Sequence, residues 1–181
     1  EEPLVLIYHT HGSETYKKVN GKEGSVIEVG TALTKELENV YGIKTVHDKS
    51  VYDMVDGQLD RNAAYNFAGD SVEAALRKNP SVKVVIDLHR DSVENNIHLR
   101  TKINGKSAAQ IMFFNGVSRL ASKGDIGYLY NPNKEANLAF SLQMQLLAEE
   151  EYPDLTRKIF PDISQVTVTS LVINISLIFS V

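Results

Sequence analysis

Two short polar clusters carry the residues of this chain that can do chemistry. The first is His9-Thr-His-Gly-Ser-Glu14 and the second is Asp87-Leu-His-Arg-Asp91. In the first, His11 and Glu14 are spaced His-x-x-Glu, and on a tight loop or first helical turn residues three apart can point the same way. One imidazole nitrogen and one carboxylate can then grip a single ion, and His89 would supply a third ligand. Two histidines and one glutamate leave a fourth position for water, the pattern of a hydrolytic rather than a structural zinc site. The chain has no cysteine, so thiolate zinc sites and disulfides are excluded. A plainer reading stays open, because His-x-x-Glu is a loose pattern and a histidine at a strand end commonly serves as a hydrogen-bonded cap.

Both clusters close strongly apolar segments. Pro3-Leu-Val-Leu-Ile-Tyr8 is a continuous apolar run, the mark of a strand buried on both faces, and Val82–His89 is β-branched and turns polar only as it ends. Apolar residues at Val29, Leu33, Leu37 and Tyr41 predict a helix closed by Gly42, followed by a strand over Ile43–His47. Asp70-Ser-Val-Glu73 reads as a capping box opening a helix that ends before Pro80. Ala108–Phe114 and Val166–Ile175 read as strands, and Asn133–Tyr152 as a helix with Leu138, Leu142 and Leu146 on one face. Strands alternating with helices predict one α/β domain over residues 1–181, with a mostly parallel central sheet flanked by helices. In such sheets ligands bind beyond the carboxyl ends of the strands, where His11 and His89 both fall.

The bulk properties narrow the partners. A 181-residue chain with 43% hydrophobic residues suits one soluble globular domain, and a net charge of −4 gives no support to a nucleic-acid partner. The chain starts at Glu1 without a Met and reads as an excised piece. Its longest apolar stretch, Leu171–Val181, is too short and too interrupted to span a bilayer. Membrane attachment is therefore expected only through an anchor outside this stretch. No nucleophile elbow or phosphate loop is present. Ser13 beside His11 is badly placed for a nucleophile–base dyad. Asp53, Asp56 and Asp60 lack the spacing of a calcium loop and read as a solvated acidic stretch. His47 and His98 read as surface or structural histidines, and Tyr128 and Tyr130 as part of a loop over the site.

Ile7-Tyr-His-Thr-His-Gly-Ser-Glu-Thr-Tyr16 and Val85-Ile-Asp-Leu-His-Arg-Asp-Ser92 resemble the two signature blocks of the stage II sporulation protein P family. Supporting landmarks are Val29-Gly-Thr-Ala-Leu33, Gly105-Lys-Ser107, Asn131-Pro-Asn133 and Tyr152-Pro-Asp-Leu155. The resemblance implies an amidase or zinc-carboxypeptidase-like fold and a Zn²⁺ held by His11, Glu14 and His89. It implies cleavage of the amide between N-acetylmuramic acid and L-alanine in peptidoglycan, during sporulation and engulfment. It further implies an extracytoplasmic location between mother cell and forespore, and a glycan-processing partner protein. His9 is expected to be dispensable for the metal. Asp87, two residues from His89 and on its strand face, is a candidate to orient an imidazole. Arg90 and Asp91 face the substrate or pair with each other.

One position departs from the family pattern. Related amidases place a glutamate on a late apolar strand, where it moves a proton between the attacking water and the leaving amine. Here Ser170-Leu-Val-Ile-Asn-Ile-Ser176 puts Asn174 at that position, and an amide cannot act as a base near neutral pH. The segment from about residue 160 is read as atypical and truncated. Glu28 and Glu94 are the alternative bases. Two other functions remain in view: a zinc peptidase of carboxypeptidase type, and a cell-wall-binding pseudoenzyme.

Overall fold

The structure is a computed structural model that describes residues 2–19, 22–90, 99–114, 119–120, 124–125, 132–157 and 171–177, of which 17–19, 22–23, 119–120, 124–125 and 171–177 are described as backbone only. Of the described strands, β2 (Thr15–Val19) pairs with β3 (Lys22–Ser25), β5 (Met54–Val55) with β6 (Gln58–Leu59) and β11 (Arg119–Leu120) with β12 (Gly124–Asp125), while β1 (Val5–Tyr8), β4 (Thr45–His47) and β7 (Val84–Arg90) form the parallel heart of a five-stranded sheet. β1 lies between the other two, with Ile7 paired to His47 on one side and to Ile86 on the other. β10 (Ile111–Phe114) and β13 (Leu171–Leu177) extend the sheet beyond β7, in the order β10-β13-β7-β1-β4. β10 and β13 are parallel to each other, but β13 is antiparallel to β7. The expected α/β class holds, while the sheet is mixed: three strands run one way and two the other.

The apolar run of β1 is buried on both sides, as its composition demands. Val5 and Ile7 join Leu88 on one face, against Val29, Leu33 and Leu37 of α1 (Val26–Asn39). Leu6 joins Val82 and Val85 on the other, against Val72, Ala75 and Leu76 of α2 (Arg61–Lys78). Full burial of a side chain such as Ile7 or Leu88 contributes about 1.5–3 kcal/mol. These residues anchor β1 and β7 in the core and so fix the level at which the two strands end. Ser25 and Glu28 form a reciprocal capping box at the start of α1, and Gly42, at φ +67°, turns the chain back after it.

Several boundaries differ from the sequence reading. α2 starts at Arg61 rather than near Asp70, because the Asp60 side chain accepts from the N–H groups of Asn62 and Ala63. The Asp70–Glu73 pattern therefore lies inside the helix. The expected strand over Ala108–Phe114 is broken at Gln110. Its first half, β9 (Lys106–Ala109), pairs in a hairpin with β8 (Arg100–Ile103) around Asn104-Gly105, and only its second half, β10, enters the main sheet. The late strand lies at Leu171–Leu177.

α3 (Lys134–Glu151) forms where expected, and its leucine stripe is not its buried face. Leu138, Leu142 and Leu146 are 44%, 44% and 64% exposed, while Asn137, Ser141 and Gln145 are buried. Gln145 Nε2 donates to Glu149 Oε1 at 2.6 Å and to the Arg157 carbonyl at 3.3 Å, which ties the polar face to the chain after the helix. Among the described residues no helix is long and apolar enough to cross a membrane.

Candidate metal centre

Parallel pairing of β1 and β7 brings their carboxyl ends side by side, Tyr8 opposite Asp87. The chain leaving β1 turns at once through residues 10–13, and the Glu14 N–H closes the turn on the His11 carbonyl at 3.1 Å. Asp53 holds this turn from behind. It is fully buried and accepts from the Ser13 N–H at 3.1 Å and the Ser13 hydroxyl at 2.5 Å. The reading of Asp53 as part of a solvated acidic stretch is thereby corrected. Asp56 occupies a turn with φ +49°, and Asp60 caps α2.

His11, Glu14 and His89 converge. One ligand atom from each can be chosen so that all lie within 4.8 Å of one another, and the His11 and His89 rings are 5.1 Å apart. The remaining polar atoms of all three are tied elsewhere. His89 Nε2 donates to Asp87 Oδ2 at 2.7 Å, which leaves Nδ1 with its lone pair free. His11 Nε2 lies 3.3 Å from the Arg61 carbonyl, which can only accept, so His11 Nδ1 also carries a lone pair. That nitrogen faces Glu14 Oε1 at 3.8 Å, while Glu14 Oε2 accepts from the Arg90 N–H at 2.8 Å. Two imidazoles and a carboxylate, each able to offer a lone pair, thus lie within 4.8 Å of one another, the donor set that a zinc ion takes with one position left open. These residues therefore fit such a metal.

Asp87 joins the two strands. It is buried, and besides His89 it accepts from the Thr10 N–H at 2.9 Å and the Thr10 hydroxyl at 2.6 Å. Burial opposes its charge, but the hydrogen bond and charge of His89 and the bonds from Thr10 outweigh that and hold its carboxyl below the usual range. Burial likewise opposes protonation of His89, but the bond to Asp87 and the negative charges of Asp87, Glu14 and Asp53 raise its pKa. Tyr16 sits near the same charges, and burial first, then Glu14, push its hydroxyl up to about 12.

His9 is placed behind the site. Its Nδ1 donates to the Leu88 carbonyl and its Nε2 meets His47 Nε2, both at 2.9 Å. With both nitrogens engaged, His9 belongs to the core under α1, where Gly30 leaves room for it. A Cβ on Gly30 would stand 2.6 Å from His47 Nε2 and 2.7 Å from His9 Nε2. Glu28, one candidate base, bonds the Ser25 N–H at 3.0 Å in the helix cap. Asp91, Glu94, His98, Tyr128 and Tyr130 lie outside the described residues. For Asn174 the backbone register is defined: it pairs with Asp87, and Val172 pairs with His89.

Three neighbours of the site were not singled out in the sequence. Arg61 Nη1 lies 3.3 Å from Glu14 Oε1, Tyr65 stacks edge-on against His11 at 5.3 Å, and Thr10 clamps Asp87. Arg61 and Tyr65 sit four apart in the first turns of α2, a position concealed by the misplaced start of that helix. Thr10 lies within the first cluster, next to His11.

A model of the stage II sporulation protein P family matches residues 1–168. The stage II sporulation protein P of Bacillus subtilis (strain 168) is 26% identical over 171 residues, covering 88% of this chain. The chain spans 39% of that relative's length. No solved structure matches.

Proposed function

Because the chain belongs to the stage II sporulation protein P family, a family of sporulation proteins, we propose that it is a zinc-dependent peptidoglycan amidase. In this reading it cleaves the bond between N-acetylmuramic acid and L-alanine, and His11, Glu14 and His89 hold the metal. The observation that carries the reading is the convergence of those three donors, with the second nitrogen of each imidazole already engaged. Zinc in such a site polarises a carbonyl and lowers the pKa of water towards ~7. The protein's own residues prepare for it. Asp87 keeps the proton of His89 on Nε2, the Arg61 carbonyl does the same for His11, and the Arg90 N–H points Glu14. Arg90 is further assigned to the substrate side of the site. The domain would act outside the cytoplasmic membrane, beside a partner that processes the glycan strands, with membrane attachment supplied from outside residues 1–181.

A second reading is favoured by one observation. The strand with Asn174 runs directly beside the strand with His89, at the position where a general base is expected, and Asn cannot take a proton. The chain would then bind metal and wall with little turnover. One experiment tests both readings: incubate the protein plus zinc with peptidoglycan and identify released fragments by mass spectrometry. Free stem peptides support the amidase, trimmed peptides a carboxypeptidase, and retention on the wall without release the binding module. Asn174→Glu should raise amide cleavage by about 10²-fold or more if the base is the missing part. Full activity in the unsubstituted chain would mean that another base serves.

A further inference from the structure

The Arg61 side chain stands at the edge of the donor set without being one of its members. Its Nη1 is 3.3 Å from Glu14 Oε1, the oxygen that also faces His11 Nδ1, and its side chain is 45% exposed where that of Glu14 is 4%. Among the described residues it is the cationic side chain that reaches a donor atom of the three. Its backbone cannot drift away, since its carbonyl meets His11 Nε2 and Asp60 caps the helix it opens. Glu14 Oε2 is held by the Arg90 N–H, so Oε1 is the oxygen for which a metal and the guanidinium compete. A divalent ion held by Glu14 would repel the guanidinium and take its partner, which would leave the half-exposed arm available to an anion of the substrate. A planar guanidinium matches a carboxylate in two-point geometry.

We propose that Arg61 is the specificity-determining residue of this site, released from Glu14 by metal and docking a free carboxylate of the peptide portion of the substrate. This rests on the metal reading above. It makes metal and carboxylate binding mutually reinforcing, because each removes the competitor or supplies the partner that the other needs, and such coupling is reciprocal. It also implies selection by charge, with peptides bearing a free carboxylate next to the L-alanine preferred over the same peptides amidated.

The test is zinc affinity, measured by competition with a coloured chelator, with and without N-acetyl-L-alanyl-D-glutamate γ-methylamide, whose one free carboxylate adjoins the L-alanine, or the same peptide with that carboxylate amidated. In the unsubstituted chain the acid should tighten zinc binding by about 5-fold or more over the amide. Arg61→Met should bind zinc more tightly than the unsubstituted chain when no peptide is present, and should lose the distinction between acid and amide. Arg61→Lys, which keeps the charge but not the fork, should retain part of it. Circular dichroism confirms that each variant is folded. A peptide carboxylate that bound the metal directly would act equally on all three proteins, so an acid preference undiminished in Arg61→Met overturns the proposal and leaves the metal reading intact. Absence of zinc binding in the unsubstituted chain overturns both.

Discussion

Replacing Asp87 by Asn exchanges one acceptor oxygen for an NH₂ group in a buried site that supplies only donors. Asp87 accepts three hydrogen bonds, from the Thr10 N–H, the Thr10 hydroxyl and His89 Nε2. The amide oxygen can keep the Thr10 N–H, and the Thr10 hydroxyl can rotate to accept. His89 cannot adapt without changing tautomer: to accept from the new NH₂ group its proton must move from Nε2 to Nδ1. Hydrogen bonds to charged groups contribute about 1.5–3 kcal/mol each, so the loss of the charge and one mismatched bond should cost the metal-free protein about 2–4 kcal/mol. Loss of a partner that orients a ligating histidine typically costs 10–100-fold in metal affinity, about the effect expected here.

The pH dependence has a definite sign. The depressed pKa of Asp87 gives stability that is present above its ordinary value of 3.8 and lost as pH falls through its lower folded value. The raised pKa of His89 gives stability that is complete below 6.5 and lost as pH rises through its higher folded value. The stability gap between the unsubstituted chain and Asp87→Asn should therefore be widest between pH 3.8 and 6.5. Urea unfolding of metal-free protein measures the gap, chelator competition measures the zinc affinity, and ¹⁵N spectra of the imidazoles report the tautomer. Unchanged zinc affinity together with an unchanged His89 tautomer would refute this reasoning.

Gly30→Ala should destabilise the protein by about 1–3 kcal/mol in urea unfolding, despite the helix-favouring substitution, because the new methyl meets two imidazoles pinned by hydrogen bonds. A more stable variant would show that this pair can move aside. Burial first, then the neighbouring His9 and Lys49, lowers the pKa of His47 from 6.5 to about 4. The unfolded chain then takes up the proton first, so metal-free stability should be lost through this group as pH falls from 6.5 to about 4. The loss should be smaller in His47→Asn, and equal slopes in the two proteins would contradict the assignment.

Much of this site could be read from the residues because it sits on the most apolar part of the chain. The runs ending at Tyr8 and His89 can only be buried strands, and their neighbouring parallel ends place His11, Glu14 and His89 together. What stayed hidden depends on partners distant in sequence. Asp53 is buried because Ser13, forty residues earlier, satisfies both its oxygens. The buried face of α3 was not legible because its leucines and its polar residues have the same spacing, and bonds from Gln145 to Glu149 and Arg157 help decide which stripe turns inward. The start of α2 was misplaced by a local pattern at Asp70 that resembles a cap, and Arg61 was overlooked with it. The reversed direction of β10 and β13 follows from chain connections that carry no periodic signal.

Binding of one zinc ion by His11, Glu14 and His89 is tested most directly by metal content after equilibrium dialysis. The unsubstituted chain should hold one zinc per molecule, and His11→Ala and His89→Ala should hold none. His9→Gln is the internal control: it should unfold more easily yet keep its zinc, since both nitrogens of His9 are used within the core. Zinc content in His11→Ala equal to that of the unsubstituted chain would contradict the account.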